Sequence, residues 1–137
     1  MIMKIAEKMI RDVMTRGVAT VSPDTPIKEI AERMANQCLS GMAVIGAQGD
    51  ALGFISEMDM VKVLHKPDLK RLTAEDIMSS RLIAVAPDAT LGRAARIMDE
   101  GHIHRLLVLS EKGVGASQRP VGILTTSDIV REVAKAG

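Results

Sequence analysis

The chain has 137 residues and a formal net charge of +1, with 47% apolar, 26% charged and 1% aromatic residues. That length allows one ordinary domain or two very small ones, and the balance is that of a globular protein. Interspersed charges exclude a basic nucleic-acid face and a polybasic membrane patch, and a lone aromatic, Phe54, cannot form a base-stacking platform.

In chain order, MIMKIAEKMIR is broken by Lys4, Glu7 and Lys8. It reads as a short amphipathic helix, not as a signal peptide or membrane span. A helical turn in RDVM leads to a β-rich run, VATV (18–21). Thr25 is placed to cap a helix with Pro26 in its first turn. Ile27, Ile30, Ala31 and Met34 give that helix one apolar face. Cys38 is the only cysteine, which excludes an intrachain disulfide and predicts a reduced, cytoplasmic setting. With no basic neighbour its thiol is expected to be buried or inert. Strands over 42–45 and 51–56 flank a Gly-containing loop, a hairpin signal. In the helix predicted over 57–65, Met58, Met60, Val61, Val63 and Leu64 exceed one narrow stripe. They predict a second contact surface and a homodimer, the alternative being a solvent-facing Met or two. KPDLKR (66–71) reads as a linker.

The order then repeats. DVMTRGVATVSPDTPIKEIAERM (12–34) falls on DIMSSRLIAVAPDATLGRAARIM (76–98) at an offset of about 64 residues. The second copy supplies the turn EDIM, the run LIAV (82–85) and a helix with Leu91, Ala94, Ala95 and Met98 on one face. GMAVIG (41–46) meets RLLVLS (105–110), and after an insertion of about five residues GFISEMDMV (53–61) meets GILTTSDIV (122–130). Strands over 105–109 and 120–125 and a helix over 126–135 complete the copy. The loop EKGVGASQRP (111–120) lacks the Gly-Lys-Ser/Thr ending of a phosphate-binding loop and reads as a hairpin tip. The fold class is therefore α/β (α+β). Two β-α-β-β-α repeats, 6–65 and 73–136, are joined by a linker at 66–72. Each is too small to be comfortable alone, so they are expected to pack with pseudo-twofold symmetry.

Ser56-x-x-Asp59 and Thr125-x-x-Asp128 have capping-box spacing, which needs no ligand. His102-x-His104 would put two imidazoles on one face of a strand, but no third ligand stands at useful spacing, so no metal site is predicted. Arg105 can grip an anion or pair with a nearby acid. No nucleophile elbow, ligand cluster or acid with an evident base is present, which argues against an enzyme.

The repeat order and the twice-used Gly-x-x-Ser/Thr-x-x-Asp resemble a tandem pair of cystathionine-β-synthase (CBS) domains, a Bateman module, over residues 6 to 136. His104-Arg105 is similar to the His-Arg of nucleotide-binding members such as the γ subunit of AMP-activated kinase. The resemblance implies two clefts between repeats, each able to hold an adenosine-type ligand (AMP, ADP or ATP), with S-adenosylmethionine or a dinucleotide as alternatives. It implies no required cofactor. In the main cleft, Thr125, Asp128, Arg105 and His104 would face Gly17, Val18, Ala19 and Thr20. In the second, Ser56 and Asp59 would face Arg81, Leu82 and Ile83. The acids would take ribose hydroxyls, and the first β-runs would flank adenine. Ser40 and Gly41 stand where the second repeat has His104 and Arg105, so the first repeat lacks the evident phosphate ligands. Leu107 departs from the family's frequent Pro. A homodimeric regulatory module signalling in trans to an effector protein is the implied function, and a ligand-free dimerisation scaffold is the alternative.

Overall fold

The computed structural model describes residues 4–110 and 119–136. In chain order, β1 (Thr15–Arg16) and β2 (Thr20–Val21) precede α1 (Ile27–Asn36), β3 (Gly41–Ile45), β4 (Ala51–Ser56) and α2 (Glu57–Lys62). Then come α3 (Ala74–Ile77), β5 (Ala84–Val85), α4 (Leu91–Gly101), β6 (Arg105–Ser110), β7 (Arg119–Thr125) and α5 (Thr126–Lys135). The mixed α/β repeat order read from the sequence is thus present. The loop tip at 111–118 lies outside the described residues. Among the described residues no helix is long and apolar enough to cross a membrane.

The chain divides into two compact units whose membership crosses the repeats. Among the described residues, one unit holds 4–17, 83–110 and 120–136, and the other holds 18–82 with Arg119. Each is built on the second half of one repeat and completed by a lead-in segment ahead of the other repeat.

In the first unit the sheet order is β1-β7-β6-β5, with β1 antiparallel to β7 (Thr15 opposite Ile123, Arg16 opposite Gly122) and β5 parallel to β6. β6 is an uninterrupted apolar run because it is covered on both faces, and Leu106 through Leu109 are all buried. Its core joins Leu106, Val108 and Leu124 to Leu91, Ala94 and Met98 of α4, and to Ile10 from the lead-in segment. Ile10 is fully buried; burying such a side chain contributes about 1.5–3 kcal/mol. In the second unit the order is β2-β3-β4, and Phe54 of β4 bridges Ser79. Its core contains Met42, Val44 and Ile55, the α1 residues Ile27, Ile30 and Met34, and Leu72, Ala74 and Ile77 from the lead-in of the other repeat.

The backbone docking of the two lead-ins is the same bond for bond. Ile10 and Arg11 N–H donate to the carbonyls of Ala89 and Pro87, and Leu91 N–H donates to Lys8. Ala74 and Glu75 donate to Thr25 and Pro23, and Ile27 donates to Leu72. These tertiary bonds explain several departures from sequence expectation. The N-terminal stretch is two 3-10 turns, Ile5–Glu7 and Ile10–Asp12, instead of one amphipathic helix, because Lys8 and Met9 are held extended where Met9 bridges Thr90. Pro26, bridged to Thr73, is the extended N-cap of α1. Thr25 does not cap it: its buried hydroxyl accepts from Ser22 N–H at 3.2 Å. The linker contains a 3-10 turn, Leu69–Arg71, and leads into buried Leu72. α2 stops at Lys62, five residues before Pro67, and Ala31 and Ala95 lie on exposed helix faces.

Cys38 and His102 occupy matching places just past α1 and α4, in left-handed backbone with φ of 53° and 52°. Leu39 N–H reaches Met34 carbonyl and Ile103 N–H reaches Met98 carbonyl, the six-to-one bond of a Schellman turn. Cys38 is exposed, which removes the buried alternative of the buried-or-inert reading, and His102 is on a helix terminus and not on a strand with His104.

The glycine that opens each echoed motif has a steric cause. A Cβ on Gly53 would sit 2.8 Å from the Ser79 carbonyl oxygen and 2.6 Å from Met78 Sδ. A Cβ on Gly122 would sit 2.7 Å from the Thr15 carbonyl oxygen and 2.8 Å from Met14 Sδ. Gly122→Ala is expected to destabilise the protein by about 1–3 kcal/mol in urea unfolding. Gly101→Ala, which would meet only Ile103 side-chain atoms at 3.7 Å or beyond, should be neutral or mildly stabilising.

Candidate functional site

In the first unit β7 delivers Thr125 to the N-cap of α5 in extended backbone. Asp128 Oδ2 accepts the Thr125 N–H at 2.9 Å, and Asp128 N–H donates to Thr125 Oγ1 at 3.1 Å. The capping box predicted from spacing is therefore formed. Asp128 Oδ1 pairs with Arg131 Nη2 one turn along α5, and Thr15 Oγ1 of β1 lies 3.5 Å from it. Thr126 N–H donates to the His104 carbonyl at 3.0 Å, which ties the head of the helix to the entry of β6. Arg105, half-buried, is the first residue of that strand, and the His104 side chain is exposed.

The second unit repeats the construction with smaller groups. Ser56 caps α2, and Asp59 Oδ2 accepts from Ser56 N–H at 2.7 Å and from Ser56 Oγ at 3.0 Å. Asp59 N–H returns to Ser56 Oγ at 3.3 Å, and Glu57 N–H donates to the Ser40 carbonyl at 3.3 Å.

Capping alone does not distinguish these positions. Thr73 and Asp76 form the same box ahead of α3, with Thr73 N–H on Asp76 Oδ2 at 2.8 Å, and Asp76 is exposed. Burial separates the three: Asp128 is 4% exposed and Asp59 is half-buried. A buried carboxylate needs partners, and a pure cap has no need of burial.

The remaining candidates divide between the units. Gly17, at φ 81°, continues β1 and donates its N–H to the Val121 carbonyl, in the same unit as Thr125, Asp128, Arg105 and His104. Val18, Ala19 and Thr20 belong to the second unit, where Ala19 carbonyl accepts from Ala43 and Thr20 of β2 faces Ala43 of β3. Arg81 and Leu82 share that unit with Ser56 and Asp59, and Ser79 pairs both ways with Phe54. Ile83 falls in the first unit, its carbonyl accepting from Leu107.

An open groove of about 460 Å³ lies along α5, lined by Met98, His102, His104, Thr126, Ile129 and Val130 among others, and not by Thr125, Asp128 or Arg105. No local pattern in the sequence marks it, because its walls come from α4, the turn at His102 and α5. Arg131 was also not singled out there, although its spacing from Asp128 is that of an i,i+3 helix pair. Among the described residues no cluster of three or more His, Cys, Asp or Glu could hold a metal ion.

Two sheet-and-helix units, each ending in a strand whose last hydroxyl residue caps a helix carrying an acid at its third position, define a tandem α/β repeat protein. Residues 10–66 and 74–135 each match the CBS domain family, and the chain belongs to that family as a CBS pair. It is 30% identical over 126 residues to the uncharacterized protein MK0525 of Methanopyrus kandleri, covering 89% of this chain. It spans 61% of that relative and 32% of the uncharacterized protein MJ1404 of Methanocaldococcus jannaschii. Among solved structures, it superposes on the CBS domain pair of protein MJ0100, in complex with 5′-methylthioadenosine and S-adenosyl-L-methionine, with a TM-score of 0.81, 24% identity and coverage of 96% and 99% of the two chains. CBSX2 in complex with AMP gives a TM-score of 0.75 at 24% identity, with coverage of 93% and 96%.

The lead-in segment is fastened to α5 by an ion pair between Lys8 Nζ and Glu132 Oε1. Hydrogen bonding from Lys8, aided by its charge, holds the Glu132 carboxyl below its ordinary value of 4.5, against the opposing effect of burial. The folded value being lower than the unfolded one, the pair's contribution is present above the ordinary value of 4.5 and is lost as pH falls through the lowered folded value. Lys8→Gln should reduce stability near neutral pH and flatten its fall across the acid limb in urea unfolding followed from pH 7 to pH 3.

Proposed function

We propose that this chain is a regulatory module that binds adenosine-containing ligands of the AMP, ADP and ATP class beside the helix heads at Asp128 and Asp59, and passes the signal to a partner protein. The reading is carried by the buried Asp128 carboxylate, held at the N-terminus of α5 with β1 alongside. A carboxylate there can accept both hydroxyls of a ribose, each such charge-assisted bond contributing about 1.5–3 kcal/mol. The helix N-terminus favours an anionic group, and Arg105 and His104 stand one strand away at the entry of β6. Two proteins of the same fold, the MJ0100 pair and CBSX2, are complexes with adenosine compounds. The former carries S-adenosyl-L-methionine and 5′-methylthioadenosine, which keeps phosphate-free adenosine compounds as a second reading. The module needs no cofactor and has no catalytic step of its own.

The module acts as a homodimer. Val61 and Leu64 after the motif in the first repeat, and Val130 and Val133 in the second, are 58%, 71%, 65% and 55% exposed. Matching apolar residues are thus exposed on or just after α2 and on α5, which suits a symmetric contact with a second copy.

Asp128→Asn is expected to lower the affinity for AMP about ten- to a hundredfold in calorimetric titration; unchanged affinity would leave Asp128 with capping alone. Val130→Glu with Val133→Glu should convert the dimer to a monomer in analytical ultracentrifugation, whereas a variant that still sediments as a dimer would remove this face from the contact.

A further inference from the structure

The two acids are not equally available. Both oxygens of Asp128 are engaged, Oδ2 by the Thr125 N–H and Oδ1 by Arg131 and, at 3.5 Å, by the Thr15 hydroxyl; the Arg131 side chain is 63% exposed while that of Asp128 is 3% exposed. The guanidinium therefore sits on the solvent side of the carboxylate. In the first repeat the matching basic residue is Lys62, and among the described residues it makes no ion pair with Asp59. Asp59 Oδ2 takes both bonds from Ser56, and no described residue donates to Oδ1. A pair of neighbouring hydroxyls can approach Asp59 directly, but at Asp128 it meets an oxygen already occupied.

We propose that Arg131 is a gate on the Asp128 site. It closes the carboxylate when no ligand is bound and must swing aside before a ribose-like diol can take Oδ1. The inference rests on the reading that Asp128 receives ligand hydroxyls. An ion pair with one largely exposed partner is worth little and is weakened by salt, so the gate is light and opens as ionic strength rises. The two sites then fill at different ligand concentrations, Asp59 first and Asp128 second. Repulsion is not needed for this: competition between Arg131 and the ligand for one oxygen atom is enough. A neutral ligand isolates the effect, because a phosphate would also feel the freed guanidinium.

The test uses adenosine and the full chain carrying Asp59→Asn, which leaves a single carboxylate site, with and without Arg131→Gln. In calorimetric titration, removing the gate should tighten adenosine binding about threefold to tenfold at low salt. Raising the salt should strengthen binding to the gated chain and leave the Arg131→Gln chain unchanged. If Arg131→Gln binds adenosine equally or more weakly at every salt concentration, Arg131 is not a gate, while the ligand reading stands. If neither chain, nor the chain without substitutions, binds adenosine or AMP, the ligand reading fails and the gate fails with it.

Discussion

Gly53 and Gly122 each leave room for a segment from elsewhere in the chain, a backbone carbonyl together with a methionine sulfur. That close approach governs the rest of the structure. It lets β1 lie along β7 and Ser79 lie along β4, and so admits Ile10 to one core and Ala74 with Ile77 to the other. A repeat of this size buries too little surface by itself to be secure. Taking in a lead-in segment adds backbone pairing at a sheet edge and apolar side chains to each core, Ile10 to one and Leu72, Ala74 and Ile77 to the other. The price is that neither unit is a contiguous stretch of sequence.

The same arrangement sets the chemistry. The lead-in brings Thr15 and Gly17 alongside β7, which ends in Thr125 and leads into α5 with Asp128. An equivalent bond pair brings Ser79 to β4, which ends in Ser56 and leads into α2 with Asp59. Each acid thus lies at a helix head, in a capping box, with a borrowed backbone segment close by. Capping fixes the carboxylate without using all its acceptor capacity, so structural and binding roles are compatible in one residue. The differences between the copies are then differences of neighbours: Arg131 on one acid, a serine hydroxyl on the other, and His104-Arg105 against Ser40-Gly41.

Much of this was legible in the sequence because the repeat doubles every signal. The hairpins, the paired helices and the capping boxes at Ser56 and Thr125 all follow from local pattern and spacing. What was not legible depends on contacts between distant segments. Thr25 has the chemistry of a cap, yet Pro26 takes the place because it bridges Thr73. MIMKIAEKMIR has helical spacing, but Lys8 and Met9 are drawn out by the segment ahead of α4. Cys38 and His102 carry no glycine to announce a left-handed turn, and only Leu39 and Ile103 beyond them, the apolar partners of such a turn, mark the place. Each copy of the motif falls within a CBS domain match, and the geometry explains why the glycine belongs to the motif at all.

Native-state hydrogen exchange at the amides of Gly17 and Ser79 tests the exchange of lead-in segments most directly. Both donate to the neighbouring strand, Gly17 to Val121 at 3.1 Å and Ser79 to Phe54 at 2.9 Å. The two amides should be protected to the same degree as those within β7 and β4, opening only with the unit that holds them. Exchange at either amide near the rate of an unstructured peptide, with β7 and β4 still protected, would contradict this account.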